Sequence, residues 1–139
     1  MGQQQLLLII LGVIIVGIAI AVGLQLFQSG SVGANQDAII NDVMNIAAHA
    51  DQFRIRPVAM GGGGGTFDGG EGYTIPQRLM ETGNGRVTAQ NAGAETFSVT
   101  MESVTYPGST VQLTYFPNAS DDPADEELQY DWTFGGQFE

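Results

Sequence analysis

Residues 6–24 read LLLIILGVIIVGIAIAVGL, nineteen positions without a polar side chain. A helix rises about 1.5 Å per residue, so this run would span roughly 28 Å, close to the ~30 Å hydrocarbon thickness of a bilayer. The run is rich in Ile and Val, which are mediocre helix formers in water. In lipid a helix is the only single-segment way to satisfy every backbone group. The stretch therefore reads as a membrane-competent helix, and its surroundings sharpen the contrast. Residues 1–36 carry no charged side chain, while all fifteen acidic residues fall between Asp37 and Glu139. One end of the chain suits lipid or a lipid-like core, and the other suits water.

Composition excludes several classes of function. The 139 residues include four arginines, no lysine, one histidine and no cysteine, with a formal net charge of −11. The length allows one ordinary domain with one appended element. Without cysteine there is no disulfide scaffold, thiolate zinc site or thiol nucleophile. Fifteen carboxylates against four scattered arginines leave no basic footprint, so nucleic-acid binding is not expected.

Four readings of the apolar run compete. Ala19-Ile20-Ala21 has the small-x-small form of a signal cleavage site, but no basic n-region precedes it and the run is longer than a signal core. Met1-Gly2-Gln3-Gln4-Gln5-Leu6 has leucine where a myristoylation motif needs Ser or Thr. A single-pass anchor usually carries basic flanks that set its orientation, and here the first arginine is Arg54. The fourth reading is a helix that sits first in a membrane and then against copies of itself. Gly12, Gly17, Ala19, Ala21 and Gly23 place small residues through the run, and Gly17/Ala21 and Ala19/Gly23 have the spacing that lets helix backbones approach.

Gln3-Gln4-Gln5 followed at once by Leu6-Leu7-Leu8-Ile9-Ile10 resembles the N-terminus of a type IV pilin-like subunit, a superfamily that includes bacterial type IV pilins and archaeal pilins and flagellins. The resemblance implies a lollipop: an apolar helix, its amphipathic continuation and a β-rich head. It also implies self-association into a helical homopolymer and passage through the membrane before assembly. A platform protein, an ATPase and a prepilin peptidase acting near Gly2 would serve that assembly. Bacterial members usually carry a basic leader and a glutamate at the fifth mature position. Counted from Met1, Gln5 takes the glutamate's place; counted from a cleavage after Gly2, the fifth residue is Leu7.

Beyond the run, Gln25 to Ala34 (QLFQSGSVGA) holds Gly30 and Gly33. Glycine inside a helix costs about 1 kcal/mol against alanine, so a hinge is expected there, with Asn35 as the cap of a new helix. Ile39, Val43, Ile46, Ala50 and Phe53 then recur at helical spacing, with Asn, Asp, His and Gln on the other faces. That amphipathic helix should end before Pro57 and lay its stripe on a sheet. His49 reads as a solvated helix residue near Asp42 or Asp51. The five glycines at 61–65 cannot be a P-loop, which needs a Gly-Lys-Ser/Thr step after a strand. They read as a flexible connector, or as a place where neighbouring subunits pack backbone to backbone.

The period then changes to two. Val87 and Ala89 open a strand, Phe97, Val99 and Met101 mark a second, and Val111, Leu113 and Tyr115 a third. Leu128, Tyr130, Trp132 and Phe134 mark a fourth, with Tyr130 and Trp132 read as sheet core. Tyr106-Pro107-Gly108-Ser109 suits a type II turn. The fold class is α+β: a long N-terminal helix packed on a four-stranded antiparallel sheet. The expected segments are 1–34, 35–57, 58–75 and 76–139. Asn118-Ala119-Ser120 is a glycosylation sequon in an acidic loop without EF-hand spacing, and no metal or cofactor is expected. One histidine on a polar helix face makes no catalytic set, so an enzyme is not expected.

The function these readings converge on is a pilus subunit, found at the cell surface in an extracellular filament and in the inner or cytoplasmic membrane before assembly. The alternatives are a membrane-anchored β domain that binds a partner, and an archaeal flagellin-like subunit.

Overall fold

The computed structural model describes residues 2–117 and 130–139. The Asn118 sequon, the acidic stretch to Glu127, Leu128 and Met1 lie outside the described residues. The chain divides into two compact units, residues 1–34 and 35–139.

Helix α1 runs from Gly2 to Ile55 and contributes to both units. It is helical throughout Gln25–Ala34, without the local unwinding expected at Gly30 and Gly33. Neither glycine has a positive φ, and the roughly 1 kcal/mol each costs is too small to open a helix whose flanking turns are intact. Asn35 correspondingly lies inside α1 and caps nothing. Its Oδ1 instead accepts a 2.6 Å hydrogen bond from the Ser103 hydroxyl. The helix ends at Ile55, two residues ahead of Pro57, which cannot donate to the helical ladder.

In the second unit, α1 packs on a four-stranded antiparallel sheet in the order β1-β2-β3-β4. The strands are Gly85–Ala92, Phe97–Ser103, Thr110–Tyr115 and Tyr130–Gly135. Phe97, Val99 and Met101 of β2 and Val111, Leu113 and Tyr115 of β3 are buried, meeting Ile39, Val43, Ile46, Ala47 and Ala50 of the helix. The opposite faces of these strands carry Ser98, Thr100, Gln112 and Thr114, which are half-exposed. A sheet with one buried and one wet face is what antiparallel alternation produces.

The edge strands are less regular. Register shifts between Val87 and Ala89 in β1, so Thr88 is an extra residue, Val87 is half-buried and Ala89 is exposed. Tyr130, Trp132 and Phe134 of β4 face Tyr115, Leu113 and Val111 in register but remain only half-buried. They form an edge stripe and not the sheet core expected of Tyr130 and Trp132. The β2–β3 turn has Gly108 at φ +87°, with the Ser109 N–H donating to the Tyr106 carbonyl at 3.0 Å. Positive φ at that third turn residue is the type II requirement.

The connector from Pro57 to Pro76 supplies part of the core: Phe67, Tyr73 and Ile75 are buried. Phe67 lies 5.7 Å from Phe97 and 6.0 Å from Tyr115, ring centre to ring centre, and Tyr73 meets Phe97 edge-on at 5.3 Å. Phe53, the last residue of the helix stripe, is half-buried against Tyr73 at 5.5 Å.

Candidate functional site

From Leu6 to Phe27 the large apolar side chains have no cover. Exposure runs from 49% at Val22 to 75% at Phe27, and none of the membrane-length window is buried. Gln3, Gln4 and Gln5 are exposed on the first turn, and Gly2 is the first helical residue. Gly12, Gly17 and Gly23 have helical backbone, and a Cβ built on any of them would meet nothing within 4 Å. Ala19 and Ala21 are exposed on the same helix. No contact among the described residues thus demands small residues at these positions. Gly30 and Gly33 share that freedom, although Gly33 is half-buried.

Leaving this much apolar surface in water is unfavourable by tens of kcal/mol at about 25 cal/mol per Å². Exposed apolar surface on this scale marks a membrane or protein interaction site. The helix is long and apolar enough to cross a membrane.

The glycine run is a closed structure and not a flexible tether. The amide of Gly63 donates to the Phe53 carbonyl at 2.9 Å, that of Gly65 to Arg54 at 2.7 Å and that of Gly64 to Arg56 at 2.9 Å. The run folds back over the end of α1 and supplies donors to carbonyls that a helix C-terminus leaves orphaned. A Cβ on Gly62 would run into the Arg56 carbonyl oxygen, and one on Gly63 into the Thr66 carbonyl oxygen. The backbone packing is thus within one chain.

Polar ties hold the helix to the rest of the second unit. Asp42 Oδ2 accepts from the Thr82 hydroxyl at 2.7 Å and from Asn84 Nδ2 at 3.0 Å. Asp51 Oδ1 accepts from Arg54 Nε at 3.0 Å, Arg54 Nη2 at 2.9 Å and the Tyr115 hydroxyl at 3.1 Å. Burial, then the charge and hydrogen bond of Asp51, push the Tyr115 phenol above its ordinary range.

His49 pairs with Tyr73 and with neither Asp42 nor Asp51: its Nδ1 lies 3.0 Å from the Tyr73 hydroxyl. Burial, followed by the charges of Arg78 and Arg56, holds the imidazole below its usual pKa. Burial also pushes the Tyr73 phenol up to about 12. With the ring neutral and the phenol protonated, the imidazole tautomer decides which of the two donates. No group of three or more metal-ligating side chains occurs among the described residues.

Phe67, Tyr73 and Ile75 escape a reading by periodicity because they lie in an irregular, glycine-rich stretch. Their size and apolarity amid glycines are the one signal that points to them. The order of elements is pilin-like: a long N-terminal helix, apolar and then amphipathic, followed by a four-stranded antiparallel sheet. Compared with protein-family models, curated proteins and solved structures, the chain finds no match.

Proposed function

We propose that this chain is the structural subunit of a pilus-like surface filament that polymerises through its apolar N-terminal helix. The observation that carries the reading is the uncovered Leu6–Leu24 run, with glycines that no neighbour among the described residues requires. As a monomer the run rests in a membrane. On assembly the apolar helices exchange lipid for one another, and small residues such as Gly17 and Ala21 let their backbones close up. Much of the hydrophobic gain is already made in lipid, so extraction needs an external machine, while release of a subunit into water is prohibitive. The acidic β domain faces outward, and its charge keeps fibres soluble and apart.

Shearing of producing cells tests the proposal: micrometre-scale fibres containing this chain are expected in the supernatant. Gly12→Leu or Gly17→Leu should abolish those fibres while leaving membrane insertion intact. Recovery of the chain only from detergent-solubilised membranes would favour the single-pass anchor, and normal fibres from both variants would defeat the helix-bundle scheme.

A further inference from the structure

Asn84-Gly85 is the one asparagine-glycine pair in the sequence. Asparagine is thermolabile, most of all before glycine, whose missing side chain leaves the next backbone nitrogen open to reaction. The fold requires both halves of the pair. The Thr82 amide donates to the Gly85 carbonyl at 2.9 Å and Glu81 bridges Arg86, so Gly83 and Asn84 are the two loop residues of a tight hairpin. A Cβ on Gly85 would meet the Glu102 carbonyl oxygen at 2.8 Å and the Met101 side chain at 2.9 Å, so glycine is needed there for space. Asn84 supplies a donor that aspartate lacks, since its Nδ2 gives a 3.0 Å hydrogen bond to Asp42 Oδ2. The same geometry keeps the reacting atoms from each other. The Gly85 N–H is committed to Thr82 Oγ1 at 3.2 Å, and Gly85 is buried. The Asn84 N–H donates to that hydroxyl at 3.3 Å and the Asn84 carbonyl accepts from the Val104 amide at 3.1 Å, which fixes the backbone on both sides.

We propose that Asn84 is a site of spontaneous deamidation that folding closes. In the open chain the Gly85 nitrogen gives up its proton and attacks Cγ of Asn84. The Cγ–Nδ2 bond breaks, and Nδ2 leaves as ammonia with that proton. Water then opens the cyclic imide at either carbonyl, leaving an aspartyl or isoaspartyl residue at position 84 with no change of oxidation state. Either product sets a carboxylate against Asp42 in place of a donor, and the isoaspartyl form also reroutes the backbone through Cβ and Cγ. The hydrogen bonds that shape the turn ahead of β1 are then lost. The reaction is a one-way sort: chains that fold promptly keep the amide, and chains held open forfeit part of the stability of the second unit.

Trypsin isolates the site, because Arg78 and Arg86 bracket a peptide, residues 79–86, in which Asn84 is the only asparagine. The full chain in detergent is incubated at mildly alkaline pH with and without urea. Peptide 79–86 is then scored by mass spectrometry and by isoaspartyl methyltransferase labelling. Conversion in urea should outpace that in the folded chain by at least about tenfold, since reaction requires the turn to open. Thr82→Val removes the acceptor of both amide hydrogen bonds and should speed conversion in the folded chain about tenfold, whereas Thr82→Ser should react at the native rate. Far-ultraviolet dichroism and Trp132 fluorescence verify that both variants fold. If the valine variant does not, Asp42→Ala, which frees the Asn84 side-chain amide, takes its place with the same expected direction. Asn84→Gln should all but end conversion in urea, because its longer side chain closes a ring far more slowly. Converted chain returned from urea should show a lower urea midpoint than fresh chain. Equal rates with and without urea, native-rate conversion in the folded variant, or an unchanged midpoint after conversion would each overturn the proposal.

Discussion

The Thr82 hydroxyl donates to Asp42 Oδ2 across 2.7 Å, and the two residues are forty apart in sequence. Asn84 Nδ2 reaches the same oxygen at 3.0 Å, while the amides of Asn84 and Gly85 donate to Thr82 Oγ1 at 3.3 and 3.2 Å. One carboxylate on the wet flank of α1 therefore organises the turn that launches β1. Asp42→Ala should cost about 2 kcal/mol, the usual worth of hydrogen bonds to a charged acceptor. Asn84→Asp should cost a similar amount by setting a second carboxylate against the first. Both are measured by urea unfolding of the full chain in detergent, followed through Trp132, its single tryptophan.

The glycine turn makes a second, sharper prediction. Gly63→Ala drives a methyl into the Thr66 carbonyl and crowds the Phe53 ring, and Gly62→Ala drives one into the Arg56 carbonyl. Each should destabilise the second unit by more than about 2 kcal/mol, since backbone and not a flexible side chain has to move. Gly83→Ala is the control, because its Cβ meets nothing within 4 Å and its φ is not positive. It should be neutral in the same unfolding assay.

His49 sets an acid dependence. Its folded pKa lies below the ordinary 6.5, so between the two values the unfolded chain binds more protons than the folded one. The His49 contribution is therefore complete above pH 6.5 and is lost as pH falls toward the folded pKa. Arg56 and Arg78 sharpen it, because a protonated ring faces two guanidiniums. The urea midpoint should drop from pH 7.5 to pH 5.5 in the native sequence. The drop should be smaller in His49→Gln, whose amide oxygen still accepts from Tyr73.

Alkali acts on the other partner of the same bond. Tyr73 ionises at about 12 in the folded chain against 10 in the open one, so the unfolded state gives up its proton first. Stability should fall as pH rises above 10. Ultraviolet titration should show late phenolate ionisation that Tyr73→Phe diminishes, the remainder belonging to Tyr115. A single step near pH 10 for all four tyrosines would contradict the burial of Tyr73.

Periodicity made most of the second unit legible. Ile39, Val43, Ile46 and Ala50 repeat at helical spacing because one face of α1 is covered. Phe97, Val99 and Met101 alternate because β2 has one wet side. Interior strands and a half-buried helix obey a single burial rule, and their sequences record it. The connector obeys none, since Phe67 and Tyr73 reach the core from turns shaped by close backbone approach, which leaves no repeat. The Thr88 bulge and the half-covered Tyr130 and Trp132 belong to edges, where strands lose one neighbour and alternation loses its meaning. In the N-terminal unit the apolar run is plain, but Gly30 and Gly33 mislead, because local propensity says helix is weakened without saying whether the flanking turns hold it.

That last point is open to direct measurement. If α1 is continuous, backbone amides from Gln25 to Ala34 in the full chain in micelles should be protected from hydrogen exchange, and their protection should have no gap at Gly30 or Gly33. Neither glycine has a close neighbour where a Cβ would stand, and neither has a positive φ. Alanine should therefore fit at both, and each substitution should stabilise the helix locally by about 1 kcal/mol, slowing exchange about fivefold. Rapid exchange through this stretch, unchanged by either alanine, would mean the helix is broken there after all. Protection that rises as expected would assign these glycines to a demand from outside the chain. Gly30→Leu would then test the close approach of a second helix, since it should spare the exchange pattern and impair assembly.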